Sequence, residues 1–217
     1  DLMCSNYQFP SKKKLRLLGV DPDHYDLDLK EHVYPSYHAP IIMKGADGFD
    51  LDIARFGLLP KWAKEFNFSN HTYNARTESV AEKPSFRNAW KYSKFCLIPV
   101  QEFYEPKYIN GKSHWYTIKR KDDQPFTVAA IYEDAEIRDS KVRSFSMLTI
   151  NSDHHPFMKQ FHAPDDEKRS IIVIPEEYRN DWLNVDREHA HEYFFEMRNE
   201  FVTFPQKSPD KSQDSLF

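Results

Sequence analysis

Four short stretches of the 217-residue chain carry side chains able to make or break bonds. The first is the opening, DLMCSNYQF, where Cys4 follows Met3 directly. Removal of the residues through Met3 would leave Cys4 with a free α-amine beside its thiol. Such a pair condenses its amine with an aldehyde and then closes its sulfur onto the same carbon. In free peptides the amine titrates near ~7.7–8.0 and the thiol near ~8.5, so both have reactive fractions around neutral pH. The plainer reading makes residues 1–3 a leader remnant and Cys4 incidental.

The second stretch is YNARTESVAEKPSFRNAW. Asn74 reads as an Asx-turn or helix cap, or as a hydrogen-bonding group of a site. Arg76, with Arg87 and Lys91 further on, makes an anion-facing edge, against the ordinary reading of a solvated helix face. The third is IPVQEFYEP, with Glu102 and Glu105 three residues apart on a predicted strand. That spacing points them to opposite faces, so at most one meets a cleft. A carboxyl group set among Phe103, Tyr104 and Pro106 suits a general acid or base. The fourth is NSDHHPFMKQFHAPDDEKRSIIVI, containing His154, His155 and His162. Adjacent histidines project in different directions and no cysteine or carboxylate follows at ligand spacing, so no metal is expected. A single acid–base histidine ahead of a strand, most simply His162, fits better.

These groups must be held by a fold of modest size. Hydrophobic residues at 40% and aromatic residues at 15% mark a globular chain. A net charge of −4 argues against wholesale electrostatic capture of nucleic acid, though not against a local basic groove. The two cysteines are too few for a disulfide framework, and Cys96 in FCLIPV reads as a buried thiol. No apolar stretch approaches ~18 residues and no signal peptide is evident, so a cytoplasmic, reducing compartment is expected.

Ser11 and Gly19 bracket a predicted helix in SKKKLRLLG, and a polar loop with one short element follows as far as Pro40. FDLDIARFGLLP reads as a strand and KWAKEF as one helical turn. TESVAEKP and SFRNAWKYSK read as two helices broken at Pro84. Strands are expected in KFCLIPV, EFYEP, HWYTIKR, FTVAAIY, SFSMLTI and SIIVI, with helices in PEEYRNDWL and DREHAHEYFFEM. The expectation is one α+β domain over residues 4–204, with a strongly bent, barrel-like, mainly antiparallel sheet and peripheral helices. Residues 205–217 read as a polar tail.

Taken together, the MC opening, FGLLPKWAKE, YNARTESVAEKPSFRNAW, KFCLIPVQEFYEP, SFSMLTINSD and FHAPDDEKRSIIVI resemble the SOS response-associated peptidase (SRAP) family. Members of that family shield abasic sites in single-stranded DNA. The resemblance implies that Cys4, once terminal, is the nucleophile that forms a thiazolidine with the abasic sugar, after self-removal of the residues before it. It places the family's asparagine on Asn74, its glutamate on Glu105 and its histidine on His162. Asn74 would then position amine or substrate, Glu105 would shuttle protons, and His162 would protonate the sugar ring oxygen.

The phosphate-contacting arginine falls on Arg76, and Trp62 marks an aromatic edge for base stacking. Lys61, Lys64, Arg87 and Lys91 would supply a basic track. The implied partner is single-stranded DNA with abasic sites, bound by a monomer in a bacterial cytoplasm without cofactor or metal. The sequence also departs from the family. Cys4-Ser5-Asn6 replaces Cys-Gly-Arg, Pro106 replaces a tryptophan, and the arginine after the histidine is displaced toward Arg169. Two other readings are a thiol peptidase built on Cys4, His162 and Asn74 and acting on proteins, and a non-catalytic single-strand binding module.

Overall fold

The computed structural model describes residues 4–206, so the leader 1–3 and tail residues 207–217 lie outside the described residues. In chain order the strands are β1 (Tyr7–Gln8), β2 (His32–Val33), β3 (His38–Lys44), β4 (Phe49–Phe56), β5 (Asn74–Arg76), β6 (Phe95–Val100) and β7 (Glu102–Ile109). They continue as β8 (Lys112–Arg120), β9 (Phe126–Ile137), β10 (Ser140–Asn151), β11 (Arg169–Ile171), β12 (Val173–Ile174) and β13 (Phe201–Pro205). The α-helices are short: α1 (Lys12–Leu17), α2 (Arg87–Lys91) and α3 (Arg179–Asn184). None is long and apolar enough to cross a membrane.

The larger sheet runs β10–β4–β3–β6–β9, and β9 then pairs with β10 from Ile137↔Ser140 to Ala130↔Met147. That last pairing closes a five-strand ring, the bent, barrel-like sheet expected from the run of strands. Pairing is antiparallel except where β4 and β5 run parallel to β10. A second, five-stranded antiparallel sheet has the order β13–β8–β7–β1–β2. Its inward Tyr7, Phe103 and Ile118 share one core with Phe56, Ile98 and Phe145 of the barrel. Each large apolar side chain buried there is worth ~1.5–3 kcal/mol. On the other side of the barrel wall a second core gathers around Trp182 of α3, whose indole N–H donates to the Cys96 carbonyl at 2.9 Å.

Local chemistry explains the ends of α1. The Ser11 hydroxyl accepts from the Lys14 N–H at 3.3 Å, and Gly19 turns the chain away at φ +84°. Elsewhere the structure corrects the sequence reading. TESVAEKP is a series of turns rather than a helix, because the Thr77 N–H still bonds the Thr149 carbonyl of β10 (3.1 Å) and Val80 is drawn into the core. DREHAHEYFFEM keeps only a 3₁₀ turn at Ala190–Tyr193. Its consecutive rings reach different partners, Tyr193 to Trp182, Phe194 to Trp90 and Phe195 to Tyr178, which no single helical stripe achieves. HAPIIMK, not foreseen as a strand, is β3 at the centre of the barrel wall.

Candidate active site

Strand β7 carries Glu105 on its inward face, 1% exposed, while Glu102 sits half-buried on the opposite face. Its neighbour β1 pairs with it only at Gln8↔Glu102 and Tyr7↔Phe103. Beyond Phe103 other backbone takes up the free side of β7. The Tyr104 N–H donates to the Asn6 carbonyl at 3.3 Å, and the His162 N–H donates to the Pro106 carbonyl at 2.6 Å. These two attachments bring the start of the chain and the segment before β11 to the same carboxyl group. The Cys4 backbone N–H donates to Glu105 Oε1 at 2.8 Å, and His162 Nε2 stands 2.6 Å from Glu105 Oε2. Both Cys4 (φ +47°) and His162 (φ +68°) are left-handed, at roughly 1–2 kcal/mol each, held by these bonds.

The thiol lies in a dry place. Cys4 is 1% exposed, and burial first, then the facing Glu105, push the thiol well above its ordinary range. At neutral pH it therefore keeps its proton, and any attack by sulfur needs a base to receive it. Two tyrosines share this neighbourhood. Burial, with Cys4 and Glu105 adding, pushes the Tyr73 phenol up to about 12. Burial, with Cys4 and Cys96 adding, raises Tyr7 well above its ordinary value. The sequence reading did not single out either tyrosine, since an aromatic residue in a strand reads as core.

Asn74 opens β5, pairs in register with Met147, and is 8% exposed. Its Nδ2 donates to the Tyr73 carbonyl at 2.9 Å. Among the described residues its Oδ1 and the Tyr7 hydroxyl are buried with no hydrogen-bond partner. An unmet buried polar group costs ~1–3 kcal/mol, so both oxygens are available to a polar partner.

The other predicted residues lie apart from this set. Arg76 follows Asn74 on β5 and is engaged by Glu167 at 2.7 Å and Glu78 at 3.5 Å. Arg169 does not stand in for the displaced family arginine. It is 2% exposed and committed to Glu78 (2.8 Å) and Glu167 (3.0 Å). Trp62 is 55% exposed and meets Phe68 edge-on at 5.2 Å. Lys61 donates to the Asp134 carbonyl at 3.4 Å and lies 3.8 Å from Glu133. Lys64 is exposed, and Arg87 with Lys91 lines a separate cleft of about 610 Å³ beside Arg187. His155 is structural, its Nε2 at 2.8 Å from the Met197 carbonyl and its Nδ1 accepting the Met158 N–H at 3.0 Å. Among the described residues no group of three or more histidine, cysteine or acidic side chains is arranged to hold a metal.

A family model described as SOS response associated peptidase (SRAP) matches residues 3–206. Abasic site processing protein YoaM of Bacillus subtilis (strain 168) is 32% identical over 173 residues, 75% of this chain and 73% of that protein. Abasic site processing protein YoqW of the same organism is 30% identical over 154 residues, 70% of this chain and 66% of that protein. A crystal structure of a protein from Bordetella bronchiseptica superposes with a TM-score of 0.86 at 24% identity, over 94% of this chain and 100% of that one. At that identity the likeness establishes the fold. With its motifs, its architecture and a family match over nearly its whole length, this chain belongs to the SOS response associated peptidase (SRAP) family.

Proposed function

We propose that this chain processes abasic sites in DNA by forming a covalent bond through Cys4. One observation carries the reading: a single carboxyl group, Glu105, meets the Cys4 nitrogen at 2.8 Å and the His162 ring at 2.6 Å. The abasic site processing relatives YoaM and YoqW support the same substrate class.

The chemistry begins with loss of the residues through Met3. The Cys4 sulfur attacks the Met3 carbonyl, the C–N bond breaks with a proton delivered to the new amine, and water hydrolyses the resulting thioester. The closed sugar of the abasic residue then opens as His162 protonates its ring oxygen, exposing an aldehyde. The Cys4 amine adds to that aldehyde and one water leaves, with Glu105 relaying the protons, to give an imine. The thiol adds across the C=N bond, sulfur to carbon and proton to nitrogen, closing a five-membered thiazolidine. The net loss is one water. Asn74 positions the amine or the sugar through its free Oδ1. Proton relays of this kind contribute ~10²–10⁴-fold each. The substrate in this proposal is single-stranded DNA, handled by a monomer in the cytoplasm without a cofactor, with Arg76, Trp62, Lys61 and Arg87 facing the strand.

The test is the intact mass of protein beginning at Cys4 after incubation with a single-stranded oligonucleotide bearing one abasic site. A heat-stable adduct at the combined mass less one water, absent in Cys4→Ala, is the expected result. No adduct from protein shown to start at Cys4 would overturn the proposal. Peptide cleavage that survives an uncleavable N-terminal extension would instead identify a thiol peptidase, and reversible binding alone a binding module.

A further inference from the structure

On the outward face of the strands that follow Cys4 and carry Glu105 stands a column of rings that this chemistry leaves unused. Alternation along β1, β2 and β7 sends Tyr7, Val33 and Phe103 inward and Gln8, His32 and Glu102 outward, each trio in register. On the outward side His32 stacks on Tyr34 with ring centroids 4.5 Å apart and planes 13° from parallel. His32 also meets Tyr104 at 4.7 Å and 37°. The inner part of the column is locked. Asn6, 5% exposed, places its Oδ1 2.8 Å from His32 Nε2, and Tyr104 is 6% exposed. The outer end is open: Tyr34 is 44% exposed, with Tyr37 edge-on to it at 5.6 Å.

We propose that Tyr34, backed by His32 and Tyr104, is the seat for a nucleobase of the strand flanking the abasic residue. The inference rests on the abasic-site reading above and adds where the neighbouring DNA lies. Position argues for it, because Asn6 is two residues from Cys4 and Tyr104 adjoins Glu105, so seat and reactive centre lie on opposite faces of the same sheet margin, and a strand crossing that margin reaches both. Chemistry argues for a base rather than a phosphate. Asn6 occupies the place of the family's arginine and is tied to His32, and the Lys30 ammonium is turned onto the Tyr37 ring at 5.2 Å. The nearby carboxylates, Glu102 beside Tyr104 and Glu31 held by Gln8 at 3.1 Å, repel phosphate yet tolerate a neutral ring. Every base presents a π-face, so such a seat is sequence-tolerant.

The test uses protein beginning at Cys4 and an oligonucleotide with a tetrahydrofuran abasic analogue, which has no aldehyde, flanked by 2-aminopurine. Stacking on Tyr34 quenches the 2-aminopurine fluorescence on binding. Tyr34→Ala is expected to raise Kd by about 5- to 150-fold with the salt dependence unchanged, while Tyr34→Phe stays within about twofold. Kd for Tyr34→Ala within about twofold of the parent, unaltered quenching, or a flattened salt slope (the mark of a phosphate contact) would each overturn the seat. Adduct yield at saturating abasic DNA separates this from the covalent reading. Tyr34→Ala should retain it, whereas a parent that binds and quenches but never forms adduct would sink the covalent step and leave the seat standing.

Discussion

Replacing Glu105 with glutamine keeps the side chain's shape and removes its ability to take a proton. In the parent the carboxyl group accepts from the Cys4 N–H at 2.8 Å and stands 2.6 Å from His162 Nε2. An amide offers one oxygen and one NH₂, so it can serve both neighbours only with the oxygen on the Cys4 N–H and the NH₂ on His162, and neither contact keeps the carboxylate's charge. The lost charge-assisted hydrogen bond is worth ~1.5–3 kcal/mol. The lost proton relay is worth ~10²–10⁴ in rate, equivalent to ~2.7–5.4 kcal/mol of barrier. The rate of adduct formation, followed by quenching single-turnover mixtures into detergent and resolving them on denaturing gels, should therefore fall by ~10²–10⁴. A second readout has a defined sign. Glu105 helps raise the Cys4 thiol, with burial the larger cause, so Glu105→Gln should bring the onset of iodoacetamide alkylation to lower pH while leaving it above that of a free cysteine. A rate within about threefold of the parent, or an onset moved to higher pH, would refute the role given to this carboxyl group.

Asn74→Ala should slow adduct formation by more than ~10-fold yet cost the fold only the ~0.5–1.5 kcal/mol of the Nδ2 bond to Tyr73, as thermal melts would report. Burial holds the Cys4 and Cys96 thiols above the ~8.5 of an unfolded chain, so the folded protein retains protons that the unfolded one releases. Stability is full below that value and declines as pH rises past it, and urea midpoints between pH ~7.5 and ~10 should fall, less steeply in Cys96→Ala. Glu167→Gln frees Arg76 from its 2.7 Å partner and should tighten single-stranded DNA binding by about 1.4- to 5-fold, the worth of an exposed ion pair, in a low-salt titration. Gly57 has φ +115°, and a Cβ there would lie 2.0 Å from the Ser69 carbonyl oxygen, so Gly57→Ala should lower stability by more than ~1 kcal/mol.

The strands from Phe95 to Ile174 were readable because their apolar runs are long and turn residues separate them, whereas β13, Phe201–Pro205, was not foreseen. β3 escaped notice because Pro40 sits within it and a polar loop leads into it; only pairing with Ile53 and its neighbours on β4 makes that segment a strand. The two failed helices show the same limit from the other side, since tertiary partners for Thr77 and for Tyr193, Phe194 and Phe195 outweigh local propensity. The meeting of Cys4 with Glu105 bridges 101 positions and that of His162 with Glu105 bridges 57, separations that no periodicity encodes. Family motifs pointed to those residues, but not to what surrounds them. That Tyr7 and Asn74 each bury an unmet oxygen, or that Asn6 is bound to His32, follows only from side chains brought together by folding.

Closure of the larger sheet also bears on how copies of the chain behave when crowded. A strand with an unpaired side is a template on which another molecule can add, the usual start of aggregation. Each ring strand, β3, β4, β6, β9 and β10, has a partner on both sides, although β4 meets β10 only at Arg55 and Phe56, and several margins are short, with two residues in β2 and β12 and three in β11. β13 ends in Pro205, which has no N–H to offer a newcomer. Among the remaining margins is β7 beyond Phe103, where the Asn6 carbonyl and the His162 N–H occupy the exposed backbone. The two chain segments that deliver Cys4 and His162 to Glu105 thus also cap an edge on which a foreign strand could seed.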